Sequence, residues 1–251
     1  MLPFKSKENR LNYNHIAAEN SFNNLLLIHD NGQSSKIFDS ELRFYSSYFN
    51  TVTIDLTGHG KSPKGNDIYN NFWVMNAAAA IAVCEKLKMK KVSVIGIGGG
   101  GVVALNMALL NPGLVKGILA DSLPGTDPDE NYISSLIEYR EKVYGNEMKQ
   151  KYQNINGSKW EKILTEDTEM QIDFAERGGK FYHGEISSIP CPVLLTGCPG
   201  YDLLPDIEER IRHTADNLKK PQTHFFSSGK YPLFLSRNDE FRTVSLNFLM
   251  D

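Results

Sequence analysis

Lys91–Ser122 reads KVSVIGIGGGGVVALNMALLNPGLVKGILADS, and inside it Gly96, Gly98 and Gly101 complete a G-x-G-x-x-G. Val92–Ile95 is a short β-branched run, the glycines follow at once, and Val102–Leu110 has a helical pattern. A dinucleotide fingerprint needs this strand, turn and helix context. Asp121, about 20 residues on and at the end of the next apolar run, stands where a ribose-binding acid would. Taken alone, the segment argues for a nicotinamide dinucleotide.

The rest of the chain bounds that reading. The 251 residues are 41% hydrophobic and 23% charged, enough for one large α/β domain with a small insertion. The start, MLPFKSKENR, lacks the apolar stretch of an export signal, and no apolar run approaches the roughly 20 residues a membrane helix needs. A soluble, cytoplasmic protein without membrane contact is expected. Cys84, Cys191 and Cys198 are odd in number and widely spaced, which points to buried thiols rather than a disulfide framework or a metal site. With a net charge of -3 and scattered basic residues, there is no footprint for nucleic acid.

Strand-like runs alternate with helical ones along the chain, which predicts a mostly parallel, doubly wound sheet. The predicted strands are Leu25–Ile28, Thr51–Leu56, Val92–Ile95, Gly117–Ala120, Pro192–Thr196 and Thr223–Phe226. A helical patch lies around Phe38–Tyr48, and Asn71–Leu87 carries apolar residues at helical intervals. From Leu123 the pattern changes to amphipathic, charge-rich segments such as YISSLIEYREKVYG, with no strand between them. The expected organisation is a core of residues 1–122 and 188–251 carrying a helical cap of residues 123–187.

Two turns precede the glycine turn, and they decide between the alternatives. One is LLLIHDNGQSS (25–35) and the other VTIDLTGHGKS (52–62). Taken in order with the glycine turn, they resemble the successive signatures of the α/β-hydrolase superfamily, in particular its bacterial small-esterase-like members. There the three turns read H-G-N-G-x-S, D-x-x-G-H-G-x-S and G-x-S-x-G-G. IPCPVLLTGCPGYDLLP (189–205) is similar to the segment that carries the family's acid, and FFSSGKYPLFLSRNDEFRTVSLNFL (225–249) to the one that carries its histidine. The resemblance spans nearly the whole chain and implies an α/β-hydrolase fold with a helical cap. A dinucleotide fold, by contrast, places its glycine turn after the first strand of the nucleotide-binding half.

Under that resemblance Gly96–Gly100 is the nucleophile elbow, and Gly98 stands where the family has serine. The family's G-H-x-P appears as Gly229, Lys230, Tyr231, Pro232, so Lys230 takes the base position. Asp202 is the acid-position residue the spacing favours, with Asp121 second. The oxyanion donors the resemblance implies are the N–H groups of Asn31 and Gly99. Beside them, after His29, Asp30 replaces a family glycine. A carboxylate there opposes a developing oxyanion, unless Asp30 points away as a turn residue. His59 belongs to a turn that is usually structural in the family. His183, His213 and His224 fall away from the elbow, and Cys198 has no base assigned beside it.

Acyl transfer needs an attacking oxygen or sulfur, which Gly98 lacks. The amides of Gly98–Gly101 at a helix start could instead hold an anion or a carbonyl oxygen. The expectation is an α/β-hydrolase-fold protein with a vestigial triad, non-catalytic or binding a small, mostly apolar molecule between cap and core, without cofactor or metal. The alternative is an esterase-like enzyme using atypical residues on a small ester or amide. Lys230 is expected to neutralise Asp202 or, failing that, Asp30. Calorimetry with NAD(H) or NADP(H) is expected to show no binding; micromolar affinity at the Gly96–Gly101 turn would restore the dinucleotide reading.

Overall fold

The computed structural model describes residues 10–19, 21–65, 71–145, 148–201 and 203–250. Its strands are β1 (Tyr13–Ile16), β2 (Asn24–Ile28), β3 (Asn50–Ile54), β4 (Val92–Ile97), β5 (Val115–Asp121), β6 (Val193–Gly197) and β7 (Pro221–Phe225). They form one sheet in the order β1-β3-β2-β4-β5-β6-β7. Every pairing is parallel except β1 with β3. Each strand predicted from sequence is present. β1 was not predicted, because YNHI is a four-residue, partly exposed edge strand with no apolar run; its pairing, Tyr13 opposite Ile54, is what defines it.

Alternate residues of the central strands feed two cores, as the period of two requires when both faces are covered. Leu26 and Ile28 of β2 join Val94, Val103 and Trp73 on one face. Leu25 and Leu27 join Ile95, Phe38 and Phe241 on the other. The first face is covered by α2 (Phe72–Lys86) and α3 (Gly99–Leu110), the second by α1 (Asp39–Tyr45) and α9 (Asn238–Met250). α2 starts where Asn71 accepts the Val74 N–H at 3.1 Å, an N-cap. Its alanine run, Ala77–Ala80, is small enough for α2 to lie close against α3.

Between β5 and β6 the described residues contain no strand. They form α4 (Glu130–Gly145), α5 (Met148–Asn156) and α6 (Trp160–Glu176), the helical insertion that lies over the carboxyl edge of the sheet. α7 (Ile207–Asp216) anchors where the insertion begins. Arg210 donates to both carboxylate oxygens of Asp129 at 3.0 Å and to the Pro124 carbonyl at 3.0 Å. Short α8 (Leu233–Ser236) leads into α9. Among the described residues no helix is long and apolar enough to cross a membrane. Cys84, Cys191 and Cys198 are free thiols, all buried.

Candidate functional site

The chain leaves β2 toward β3 on one side and β4 toward β5 on the other, so the turns after β2 and β4 face each other at the carboxyl edge. In open α/β sheets this switch point is where ligands are held. Gly98 makes the turn into α3 with φ 52° and ψ -119°. An L side chain rarely adopts that conformation. The Gly98 N–H donates to the Asp121 carbonyl at 2.8 Å, which fixes the turn to the end of β5. A Cβ at Gly100 would fall on the Ile28 carbonyl. The glycine-rich stretch thus lets α3 start hard against the end of β2; of the fingerprint glycines, Gly96 is needed where a Cβ would meet the Gly100 backbone and Gly98 for its positive φ.

The turn after β2 is stapled by two histidines. His29 accepts the Leu56 N–H on Nε2 at 2.9 Å, and its Nδ1 lies 2.7 Å from the Asp30 carbonyl oxygen. Burial, with His59 alongside, lowers His29 to about 4, so the neutral ring is the form that fits these bonds. His59 accepts the Gly32 N–H at 2.9 Å. Asp55 gathers the Ser35 and Lys61 N–H groups at 2.8 and 2.9 Å. With all these backbone groups satisfied, Asp30 and Asn31 are held rigidly over α3.

Their side chains fold down onto the elbow. Asp30 Oδ1 accepts the Gly99 N–H at 2.6 Å, and Asp30 Oδ2 accepts the Tyr231 hydroxyl at 2.6 Å. The Asn31 N–H also faces this carboxylate. The two amides that the resemblance assigns to an oxyanion are therefore both turned to a side chain of the protein itself. A Cβ at Gly98 would fall on the Asp30 carboxylate and one at Gly99 on the Asn31 amide oxygen. The Asn31 amide oxygen accepts the Trp73 indole N–H at 3.1 Å, while its NH2 donates to Asp167 at 2.6 Å.

Burial raises the Asp30 carboxyl above the usual carboxylate range, against the Tyr231 hydroxyl and the Gly99 and Asn31 amides. Tyr231 is held by Tyr201, with ring centroids 4.2 Å apart and an interplanar angle of 18°. The cations whose charge reaches Asp30 come from the cap: Arg140 on α4 and Lys151 on α5. Lys151 Nζ donates to the Tyr231 carbonyl at 3.3 Å, and burial lowers its pKa.

Lys230 forms no ion pair with Asp30, the one of its two expected partners that lies among the described residues. It is exposed, its backbone N–H donates to Ser236 Oγ at 2.9 Å, and it forms no ion pair among the described residues. The next residue, Tyr231, is the one that reaches the elbow. A side chain one position along a turn points elsewhere, and motif alignment alone did not resolve the difference. Asp202 lies outside the described residues. Asp121, its alternative, sits at the end of β5, between Ile97 of β4 and Thr196 of β6. Thr196 Oγ1 donates to its Oδ1 at 2.8 Å, while Oδ2 has no hydrogen-bond partner among the described residues. Burial, with the Asp30 charge added, raises Asp121 to about 7.

Asp167 on α6 is the residue that sequence reasoning missed. It accepts from Asn31, from Arg140 at 2.9 Å and from Gln171 at 2.8 Å, with His59 Nε2 at 3.4 Å. Burial alone would raise its pKa; His59, Arg140 and Asn31 together outweigh that and hold it below the usual range. The available signal was the i, i+4 pair Asp167 and Gln171 on the apolar face of α6, polar residues at core positions that need partners. Among the described residues no three metal-ligating side chains come together.

Residues 23–151 match the α/β hydrolase fold family. Over 96 residues the chain is 32% identical to the pimeloyl-[acyl-carrier protein] methyl ester esterase of Wigglesworthia glossinidia brevipalpis; this covers 38% of the chain and 34% of the esterase, about a third of its length. It is 25% identical to the human serine hydrolase BPHL over 80% of the chain and 69% of that protein. Among solved structures, a lipase-esterase related protein from Clostridium acetobutylicum ATCC 824 superposes with a TM-score of 0.70 at 21% identity, covering 95% of this chain and 99% of the other. The esterase EaEST from Exiguobacterium antarcticum gives 0.72 at 15% identity, with 96% of each chain covered. At these identities the structural likeness is one of fold.

Two measurements check this geometry. Gly98→Ala should destabilise the protein by about 3 kcal/mol, because the methyl meets Asp30 in an unfavourable backbone region. With Asp30→Gly as background the cost should fall to about 1 kcal/mol, the backbone part alone. Urea titration of the cycle measures the coupling; additive effects would contradict the placement of Asp30. Asp121 gives the second test. Its folded pKa lies above the unfolded value, so the folded state binds the extra proton and its stabilisation is complete below about pH 4. That stabilisation is lost as pH rises to about 7, by on the order of 2–4 kcal/mol. Asp121→Asn should flatten this part of the stability–pH profile, and an unchanged slope would count against the assignment.

Proposed function

Since the chain belongs to the α/β hydrolase fold family, we propose that it is a non-catalytic member, whose hydrolase site has become an internally satisfied structural element. The observation that carries this reading is the filled elbow. Asp30 occupies the volume in front of Gly98 and takes the Gly99 amide, and Asn31 covers Gly99. An ester carbonyl would have to displace a buried carboxylate to reach those donors, and would then find no attacking atom at Gly98. The base position adds to this, because the Lys230 side chain is turned to solvent.

A ligand-binding role for the seam between cap and core is the form of non-catalytic function that the retained cap supports. A small molecule bound there would lie beyond the filled hole, against the Tyr201–Tyr231 stack. The names of the relatives point to esterases, but the arrangement of Asp30, Asn31 and Gly98 favours no ester chemistry. A soluble, cytoplasmic protein remains the compartment we propose.

The test is covalent. Incubation with a fluorophosphonate should leave the intact mass unchanged, and p-nitrophenyl acetate should be consumed no faster than by heat-unfolded protein. Stoichiometric labelling at any residue would establish a relocated nucleophile and overturn the reading.

A further inference from the structure

We infer that the Gly99 and Asn31 amides and the Tyr231 hydroxyl form a carboxylate receptor whose ligand is the Asp30 side chain, and that without this side chain it takes a free carboxylate of one or two carbons. The inference rests on the non-catalytic reading above and names the ligand chemistry of the same site. Two donors from different parts of the chain converge on one carboxyl group, Gly99 on Oδ1 and Tyr231 on Oδ2, both at 2.6 Å. Both bonds are short, and the hydroxyl one has the length of a charge-assisted O–H···O bond, as expected for a hole matched to a carboxylate. The Gly99 N–H opens the 12-residue helix α3, whose dipole favours negative charge at that end. Tyr231 is fixed by its stacking on Tyr201, so its hydroxyl stays aimed when Asp30 is removed. Arg140 and Lys151 supply positive charge from the cap and do not depend on Asp30 for their positions: Arg140 is bonded to Asp167 at 2.9 Å and Lys151 to the Tyr231 carbonyl at 3.3 Å.

The size limit follows from atom matching. Beyond its Cα, aspartate is a methylene and a carboxylate, and acetate is a methyl and a carboxylate. Asp30→Gly therefore deletes the heavy atoms that acetate restores. Formate fits with room left over. The third carbon of propionate would coincide with the Cα of residue 30, so propionate and butyrate are excluded. Residue 30 is not among those with positive φ, so the substituted glycine gains freedom without relief of strain.

The experiment is thermal unfolding of Asp30→Gly in sodium acetate, formate, butyrate or chloride at equal ionic strength, with isothermal calorimetry at the same concentrations. Acetate and formate should raise the midpoint saturably, in the millimolar range, whereas butyrate should match chloride. Wild type and Asp30→Asn, whose hole is filled, should not respond. Adding Tyr231→Phe to Asp30→Gly should weaken acetate roughly tenfold, through loss of one charge-assisted bond. If Asp30→Gly does not fold in chloride, refolding yield in acetate against chloride becomes the readout: acetate-dependent recovery supports the receptor and equal yields overturn it. An equal response of wild type, or of butyrate and acetate, also overturns it. Fluorophosphonate labelling of wild type would instead defeat the non-catalytic reading, so the two failures are distinguishable.

Discussion

The bond from the Gly99 amide to the Asp30 carboxylate organises the space between cap and sheet. The first amides of a helix have no partner within it, and at the start of α3 they face the switch point of the sheet, where solvent or a ligand would normally satisfy them. Here Asp30 does so from inside the protein. A carboxylate at that depth needs compensation, and the sheet supplies none, since the nearest acid in β5, Asp121, repels it. The compensating charge comes from Arg140 and Lys151 in the cap. Arg140 is itself buried and requires Asp167, and Asp167 closes the circuit on Asn31, the neighbour of Asp30. The cap thus brings the charges that face the acid in the elbow, in addition to the apolar contacts of Phe174 and Phe181 with Trp73.

This circuit also explains why the polar seam tolerates burial. Breaking a buried ion pair by removing one partner leaves the other uncompensated, at a typical cost of about 3–5 kcal/mol. Asp167 has three donors and Arg140 has Asp167 and Tyr152, so each charge is held by more than one contact. The two histidines tie the facing turns together. Each uses Nε2 as an acceptor for a backbone N–H of the facing turn, His29 for Leu56 and His59 for Gly32. That reciprocal stapling fixes the turns whose sequence made the fold recognisable.

The sequence was informative wherever geometry is local. The apolar runs of β2 to β6, the turns after β2, β3 and β4, and the glycine at the elbow are each set by a few consecutive residues, and the fold follows from their order. Edge strand β1 escaped because its definition lies in its partner, β3. At the site, Gly98, Asn31 and Gly99 could be located from motif position. The direction of Asp30 could not, because a turn residue and a plug have the same local sequence. Lys230 illustrates the limit most clearly. Charge argued for pairing it with Asp202 or, failing that, Asp30; at Asp30 the loop presents Tyr231, so a neutral hydroxyl stands where an ammonium was the alternative. Arg140 and Asp167 lie in a cap without motifs, and only tertiary contact brings them to the site.

Glycine at position 98 and aspartate at position 30 constrain each other. With a glycine at position 30, a side chain at position 98 would pay only the strain of its positive φ, on the order of 1 kcal/mol or more. Once Asp30 lies over the elbow, any Cβ at 98 meets the carboxylate as well. In the other direction, with Gly98 present and Asp30 absent, the amides of Gly99 and Asn31 and the Tyr231 hydroxyl would face a void, each short of an acceptor. Neither position can change alone without loss of stability, whereas the pair together is self-consistent. Asn31 and Gly99 repeat the arrangement one residue further on, with the amide oxygen of Asn31 in the place of a Cβ. The elbow thus consists of two interlocked residue pairs, Asp30 with Gly98 and Asn31 with Gly99. The same interlocking leaves no room for a nucleophilic side chain at position 98 while Asp30 is in place.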